Sequence, residues 1–280
     1  MAIDAFKPEV WSAELLVALE KALVYAAPGV VNRDYEGEIS QFGDTVRITS
    51  LADPTIGTYT PHTDIVIEDV DDSNLLLLIN QSKYFAFSVD DIEARQARGG
   101  VLSEQARKAA YKLRDIADQY VASLMAAGVD AGNLIAESTV TASNAYDKLV
   151  DLSVILDEDN VPTEGRFAVV TPKFRGLLLK DSRFIASGDS SGASVRANGL
   201  IGEAAGFSLR VSNNAPDGPG VGAGKLIIAG SDMATTYAEQ IAKTEATRKE
   251  KGFADIVKGL HLYGSKVVRP TALAAADVII

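Results

Sequence analysis

Residues 99–128 read GGVLSEQARKAAYKLRDIADQYVASLMAAG and carry the strongest periodic signal in the chain. Apolar residues recur there at steps of three or four, the spacing of one face of an α-helix. These residues are Leu102, Ala106, Ala109, Leu113, Ile116, Tyr120 and Leu124. Ser103 is placed to cap the start of this helix and Gly128 to end it.

The polar side of the same helix carries Arg114 and Asp118 four residues apart, a spacing that favours an ion pair on a helix surface. If residues 103–127 are all helical, the rod is about 37 Å long at 1.5 Å per residue. Helices in globular proteins average about half that length. The pattern therefore predicts a structural strut.

The region before the helix, from about residue 44 to 90, has the alternation that is typical of β-strands. The strand-like runs are 46–49, 65–67, 75–79 and 84–89. The residues between the first two runs are polar or β-branched and are interrupted by Gly57 and Pro61, as in turns. We predict a long hairpin that projects from the body. Its acidic stretch at 68–72 favours a turn that faces solvent or a partner.

The first 45 residues are predicted to form an arm. Apolar residues at helical spacing make one stripe that ends before Pro28 and Gly29. They are Trp11, Leu15, Leu16, Leu19, Leu23 and Val24. A helix of this kind has no core of its own, so its apolar face must be buried elsewhere. Packing on its own domain and packing on a neighbouring subunit both satisfy the pattern.

The part of the chain after the long helix alternates between the two kinds of element. Helices are predicted at 146–156 and 173–179, strands at 167–170, 209–211, 226–229 and 260–269, and a flexible loop at 188–206. An apolar tail follows Pro270. Because the spacing is not that of regular βαβ units, we predict a mixed α+β fold rather than a Rossmann sheet or a barrel.

Composition excludes several kinds of function. The chain of 280 residues has no cysteine and only two histidines, His62 and His261. A disulfide framework, a thiolate nucleophile and a three-histidine zinc site are therefore excluded, and each histidine is expected at the surface or in packing. No run of residues is apolar enough for a membrane helix. With 27 Lys+Arg against 38 Asp+Glu the formal net charge is −11, which disfavours gripping nucleic acid.

Two stretches resemble the sequence motifs of active sites but lack features that those motifs require. Gly188 to Gly192 matches G-x-S-x-G around Ser190, but the strand–turn–helix that presents such a serine is not predicted there. The tract from Gly218 to Lys225 is rich in glycine. It has Pro219 and Leu226 at positions where a phosphate-binding loop needs Gly and Ser or Thr. We predict two loops and no catalytic residue, metal or cofactor.

In its order of elements, the chain resembles the major capsid proteins of tailed bacteriophages. The segments that carry the resemblance are LINQSKYFAFSVDDIEARQA at 78–97, NVPTEGRFAVVTP at 160–172, GLIGEAAGF at 199–207 with VSNN at 211–214, and GSKVVRP at 264–270. The resemblance covers essentially the whole chain. It implies a shell-forming structural protein, without enzymatic activity, that assembles into hexamers and pentamers.

The resemblance also implies a division of the chain. The arm is 1–43, the extended hairpin loop 44–88, the peripheral domain with its spine helix 89–140 plus 246–280, and the axial domain 141–245. Contacts between subunits are expected at the arm and the hairpin. We assign them to Trp11, Leu15, Leu19, Tyr59, His62, Glu68 and Asp69.

Partners and location follow from the same resemblance. We expect a portal protein, decoration proteins and a separate scaffolding protein, since some relatives carry a cleaved scaffolding segment before the arm and this chain starts at the arm. The shell is expected in the virion capsid, around double-stranded DNA bound without sequence specificity, after assembly in the host bacterial cytoplasm. It is expected to be non-covalent, because no lysine lies between Lys21 and Lys83 to crosslink the hairpin.

Two other functions remain open at this point. An encapsulin-like compartment shell would share the fold but would package an enzyme instead of DNA. An unrelated serine hydrolase would use Ser190, and replacing that serine with alanine separates it from both shells.

Overall fold

The computed structural model describes residues 24–35, 45–51, 56, 58, 72–90, 101–181, 202–249 and 252–280. The fold is α+β, as predicted. The helices are α1 (Val101–Gly128), α2 (Ala145–Glu158) and α3 (Pro172–Leu178). The strands are β1 (Thr45–Leu51), β2 (Asp72–Leu78), β3 (Gln81–Asp90), β4 (Leu134–Thr139), β5 (Arg166–Val170), β6 (Glu203–Ala204), β7 (Phe207–Val211), β8 (Lys225–Ser231), β9 (Thr235–Arg248), β10 (Ala254–Val267) and β11 (Leu273–Ile279).

The predicted long helix is present, with two corrections. It begins at Val101, so Ser103 lies inside the first turn instead of capping it. Leu113 is buried as predicted, but the other buried residues lie one position after the predicted ones, about 100° further around the helix, and Ile116 is 41% exposed. The buried line is Ala110, Leu113, Ala117, Val121 and Met125. It contacts β10 and β3 on one sheet and β8 and β11 on the other, which makes α1 the support that both sheets share.

The larger sheet has six strands in the order β4-β11-β8-β5-β7-β6. Strand β11 pairs in parallel with β4 and antiparallel with β8, so the predicted apolar tail is in fact a buried strand inside the sheet. Its run of alanines removes bulk where α2 packs against it. Both faces are covered, which is why the segment reads as continuously apolar without alternation.

The smaller sheet has the order β3-β10-β9, and both pairings are antiparallel. Strand β9, with the sequence TTYAEQIAKTEATR, was not predicted. Its second half is charged and lies at a sheet edge, where polar residues are tolerated on both faces.

Strands β1 and β2 form a separate antiparallel pair that runs from Thr45 opposite Leu78 to Leu51 opposite Asp72. This pairing joins the first and third of the four predicted strand runs; the run at 65–67 lies outside the described residues, and the run at 84–89 belongs to β3, which pairs with β10. Among the described residues at the base of this pair, Leu77 and Ile79 are buried in a small cluster with Ala238 and Leu262.

Candidate functional site

Two clusters of buried polar contacts lie where residues 24–35 meet α1, β9 and β10. We call residues 24–35 the N-terminal segment. Tyr25, Ala26, Val30 and Val31 on this segment belong to the main hydrophobic core. The segment is therefore part of the body, and it is the root from which the predicted arm extends.

Asp118 of α1 fixes the first residues of this segment. It is only 3% exposed, and its Oδ1 accepts hydrogen bonds from the backbone N–H groups of Val24 (2.9 Å) and Tyr25 (2.7 Å). Its Oδ2 accepts one from Nδ2 of Asn214 at 3.0 Å. Hydrogen bonds to an ionised carboxylate are stronger than those between neutral groups. One side chain thus joins the N-terminal segment, the long helix and the loop after β7.

These contacts correct the predicted surface pair of Arg114 and Asp118. The carboxylate points inward, whereas Nε of Arg114 donates to the carbonyl of Ala110 at 3.3 Å. The Arg114 guanidinium lies 5.7 Å from the centre of the Tyr111 ring. Four-residue spacing identified two charges on one helix, but it contained no information about backbone donors more than ninety residues away.

The end of the N-terminal segment extends the edge of the smaller sheet. The N–H of Asn32 donates to the carbonyl of Thr235, and the N–H of Tyr237 donates to the carbonyl of Asn32, both at 2.9 Å. Nη2 of Arg210 also donates to the carbonyl of Pro28 at 3.0 Å. The segment is therefore held by backbone pairing as well as by side chains.

Glu239 on β9 is the centre of a second buried cluster, which we call the Glu239 cluster. Its carboxylate forms an ion pair with Arg33 and accepts a hydrogen bond from the hydroxyl of Tyr237 at 2.7 Å. Nε2 of His261 lies 3.1 Å from Oε2. An ionised carboxylate can only accept, so Nε2 carries a proton. His261 is fully buried, in agreement with the predicted packing role.

Two charges and two hydrogen bonds outweigh the effect of burial on Glu239. Burial by itself would raise the pKa of this carboxyl group. The hydrogen bond from His261, the charges of Arg33 and His261 and the hydrogen bond from Tyr237 act in the opposite direction and lower the pKa to about 2. The same cluster acts on its tyrosine: burial first, and then the Glu239 charge, raise the pKa of Tyr237 well above its ordinary value.

Aromatic rings connect this cluster to α1. The ring of Tyr263 lies 5.0 Å from that of His261 and 5.6 Å, edge to face, from that of Tyr120. The Arg33 guanidinium lies 5.4 Å from the centre of the Tyr237 ring. Burial and the neighbouring Tyr120 raise the pKa of Tyr263 to about 12. These groups are suited to hold elements together, because none of them combines a nucleophile with an accessible base.

The depressed pKa of Glu239 predicts a specific dependence of stability on pH. In the unfolded chain this group has its ordinary pKa of 4.5, against about 2 in the folded chain. Its contribution, on the order of 3 kcal/mol, is fully present above pH 4.5 and is lost as the pH falls toward 2. Urea unfolding of the protein and of Glu239→Gln between pH 6 and 3 measures it. The two curves should converge on acidification, and a constant gap would contradict the prediction.

The glycine tract between β7 and β8 cradles two carboxylates. The N–H of Gly220 donates to Oδ2 of Asp277 at 3.0 Å, and that of Gly222 donates to Oε1 of Glu137 at 2.8 Å. Asp277 is 1% exposed. A Cβ atom on Gly224 would lie 2.0 Å from Oδ1 of Asp277. The tract is glycine-rich because its backbone passes too close to acidic side chains for residues with a Cβ atom. The sequence alone did not reveal this close approach.

Gly224→Ala is therefore expected to lower the free energy of unfolding by about 2 kcal/mol, since the new Cβ displaces a buried carboxylate. Gly176→Ala is the matched control, because no atom lies within 4 Å of a Cβ at that helical position. That substitution should be neutral, or stabilising by up to about 1 kcal/mol. Denaturant unfolding of both variants checks the pair, and equal losses would contradict the close approach at Gly224.

All seven predicted contact residues lie outside the described residues. They are Trp11, Leu15, Leu19, Tyr59, His62, Glu68 and Asp69. Ser190 and residues 188–201 of the predicted loop also lie outside them, whereas the end of that loop contains the short strand β6 (Glu203–Ala204). Within the described part of the chain, no group of three or more acidic or histidine side chains is arranged to hold a metal ion. No helix there has the length and apolar character needed to cross a membrane.

Comparison with known proteins gives consistent results. The family model described as phage capsid protein matches residues 77–276, and no curated protein matches the chain. A structure from Mycobacterium phage Che8 is 30% identical and has a TM-score of 0.77, covering 91% of each chain. The capsid of cyanophage P-SCSP1u is 16% identical with a TM-score of 0.71, covering 86% of this chain and 85% of that one. At 16% identity, the comparison with the cyanophage capsid shows a shared fold and nothing more.

Proposed function

The chain belongs to the phage capsid protein family and is a structural major capsid protein, and from this premise we propose how it builds a shell. Copies associate as hexamers and pentamers into an icosahedral shell around a double-stranded DNA genome. The protein acts through its surfaces and not as an enzyme. The comparisons do not favour an encapsulin-like compartment.

One observation carries this proposal: the described body anchors the roots of two attachments, the N-terminal segment and the β1–β2 pair. The N-terminal segment is anchored by Asp118 and by the Glu239 cluster. Among the described residues, the β1–β2 pair is anchored through the small cluster that contains Leu77 and Ile79. A two-stranded ribbon is marginally stable by itself in water. Both attachments therefore gain stability by packing on another copy, and closed symmetry repeats that gain at every subunit.

We extend the proposal to the domains. The arm is 1–43, the extended hairpin loop 44–88, the peripheral domain 89–140 plus 246–280, and the axial domain 141–245. The strand pairings support two refinements of these limits. Strands β3 and β9 pair with β10 and so join the peripheral unit, while β4 and β11 belong to the six-stranded sheet and so join the axial unit.

The contacts between copies are proposed at the same residues as before. Trp11, Leu15 and Leu19 share one helical stripe, and Tyr59, His62, Glu68 and Asp69 lie between the ends of β1 and β2 in sequence. We propose that these side chains are buried against a neighbouring copy, since an apolar helical stripe needs a partner surface and a two-stranded ribbon is marginally stable by itself.

The proposed partners are a separate scaffolding protein, a portal protein and decoration proteins. The virion capsid is the protein's location, and we propose that the host bacterial cytoplasm is the place of assembly. A net charge of −11 supports a shell that surrounds DNA without gripping it, since phosphate binding requires an excess of Lys and Arg.

Particle sizing tests the proposal. Purified protein is concentrated and measured by native mass spectrometry and electron microscopy, with hexamers, pentamers or closed shells as the expected result. A protein that stays a monomer at high concentration would overturn the proposal. For particles recovered from cells, double-stranded DNA inside is expected, and an enzyme as cargo would favour the compartment shell instead.

A non-covalent shell is a further prediction. The hairpin region between Arg47 and Lys83 contains no lysine, so it lacks an amine for an amide crosslink. Assembled particles boiled in detergent should therefore run on a gel as a single band of monomer size. A ladder of subunit multiples would contradict this prediction.

A further inference from the structure

The six-stranded and the three-stranded sheet are connected through one small region. The chain passes between them three times, by short connections that also contact one another. The N–H groups of Val268 and Arg269 both donate to the carbonyl of Ala234, at 2.8 and 3.1 Å. Nδ2 of Asn133 donates to the carbonyl of Thr271 at 3.1 Å. We call the three connections the junction, which consists of residues 129–133, 232–234 and 268–272.

Helix α1 ends at this same junction. A Cβ atom on Gly128 would lie 2.5 Å from Cγ2 of Val267, so the helix end and the end of β10 are in close contact. Connections that are gathered at one point prevent two bodies from separating but resist their rotation much less, and a few residues at the ends of elements are enough to act as a hinge. A contact between the sheets that lies away from the junction therefore has the larger effect on the angle between them.

The N-terminal segment makes such a contact. On the side of the three-stranded sheet, its Asn32 is hydrogen-bonded to β9. On the side of the six-stranded sheet, the carbonyl of its Pro28 accepts from Nη2 of Arg210 on β7 at 3.0 Å. Strand β7 lies two strands beyond β8, the nearest strand that enters the junction. At the ordinary spacing of strands that is a separation of about 10 Å.

The loop after β7 is joined to the same segment through α1. Nδ2 of Asn214 donates to Oδ2 of Asp118 at 3.0 Å and to Oδ1 of Asp115 at 2.8 Å. The other oxygen of Asp118 accepts from the N–H groups at the start of the N-terminal segment. The segment, the helix and the β7 side of the six-stranded sheet are thus connected by one series of hydrogen bonds away from the junction.

Clefts on both sides of the segment leave room for movement. One of about 170 Å³ lies between α1 and the loop after β7, and Val24 and Tyr111 are among its lining residues. Another of about 520 Å³ lies between the segment and the junction, where Asp34 and Met233 line it. Close-packed interiors contain few voids larger than a water molecule. At these two places hydrogen bonds, more than packing, hold the segment against the six-stranded sheet and the junction.

We propose that the N-terminal segment is a strap that fixes the angle between the two sheets. When the strap is released, the sheets stay joined at the junction and through α1, but they rotate relative to each other. Because the predicted arm continues from the strap, a partner that holds the arm also acts on this angle. The proposal concerns a single subunit and goes beyond the proposed function, so it is tested without assembly.

Distances between two spin labels test the proposal on the unassembled subunit. The chain has no cysteine, so Lys173→Cys on α3 and Lys258→Cys on β10, both at exposed positions, place one label beside each sheet. With the strap intact, the distribution of distances should be narrow. Arg210→Ala combined with Asn214→Ala removes both contacts on the β7 side, and the distribution should become about twofold wider or more. An unchanged width would overturn the proposal.

A second label pair and a matched variant separate rotation from general loosening. Lys173→Cys with Glu158→Cys places both labels beside the six-stranded sheet, and this distribution should stay narrow in every variant. Equal broadening of both label pairs would overturn the proposal. Arg175→Ala is the matched control, because it removes a half-buried arginine of α3 that has no contact with the strap among the described residues, and it should leave both distributions unchanged.

Each substitution is also measured alone. Arg210→Ala and Asn214→Ala should each broaden the distance between the sheets less than the pair does, so the test survives if the double variant does not fold. Two single variants that both match Arg175→Ala would overturn the proposal. If the wild-type protein forms no hexamers or shells, the proposed function fails and the strap is unaffected; if only the distances between the sheets do not change, this inference fails alone.

Discussion

Replacing Asp118 with alanine is expected to lower the free energy of unfolding by about 3–5 kcal/mol, because two buried backbone N–H groups lose their acceptor. A buried donor left without a partner costs about 1–3 kcal/mol, and the carboxylate serves Val24, Tyr25 and Asn214. Tyr25 is fully buried, so its release also exposes apolar surface. Denaturant unfolding of the unassembled subunit measures the loss.

Asp118→Ala should also release the N-terminal segment locally from the body. With Val24 and Tyr25 detached, the backbone around Arg33 becomes accessible, and trypsin cleavage after Arg33 should become faster than in the wild type. Assembly into particles should fail at concentrations where the wild type assembles, because the predicted arm extends from this root. Unchanged cleavage and unchanged assembly would show that Asp118 does not anchor the N-terminal segment.

Two substitutions separate the carboxylate of Asp118 from general effects on the helix. Asp118→Asn keeps one acceptor oxygen and should lose about 1–2 kcal/mol. Asp115→Ala removes a half-buried neighbour that contacts the same Asn214 at 2.8 Å but no part of the N-terminal segment, and it should lose less than about 1 kcal/mol. If Asp118 is the anchor, the loss of stability should be largest for Asp118→Ala, smaller for Asp118→Asn and smallest for Asp115→Ala.

The long helix illustrates what periodicity can predict and where it stops. Its apolar steps predicted the length and position of α1 almost to the residue. The same stretch has apolar residues on two adjacent lines, one through Ile116 and one through Ala117 and Val121. The two lines differ in which of them contacts the sheets. That choice depends on β10 and β11, which lie far along the chain. Helical propensity cannot decide between them.

The Glu239 cluster could not be predicted from the sequence for a related reason. Glu239 and His261 are 22 residues apart and meet only because β9 and β10 pair with a register shift at Leu260. Neither residue belongs to a recognisable spacing motif, and β9 itself reads as a charged edge. The packing role predicted for His261 was correct, but its partner is set by strand register. The overall fold was accessible because the order of elements resembles a known family, even though individual contacts were not.

Glu239→Ala is expected to have the other large effect on stability, a loss of about 3–5 kcal/mol near neutral pH. Removing one member of a buried ion pair leaves the remaining charge without compensation, which is far more costly than the net value of the pair. Here Arg33 loses its carboxylate, while the Tyr237 hydroxyl and Nε2 of His261 lose an acceptor in a closed site. Thermal and denaturant unfolding measure the loss.

A double-mutant cycle distinguishes the ion pair from the rest of the cluster. Arg33→Ala alone removes one partner of Glu239 and should lose about 2–3 kcal/mol. If the two side chains act mainly on each other, the double variant should lose far less than the sum of the single losses, with a coupling of at least about 1 kcal/mol. The double variant should still be less stable than the wild type, because His261 and Tyr237 keep no carboxylate. Strict additivity would mean that Arg33 and Glu239 stabilise the junction independently, and the N-terminal segment would then be held chiefly by Asp118 and by the backbone pairing at Asn32.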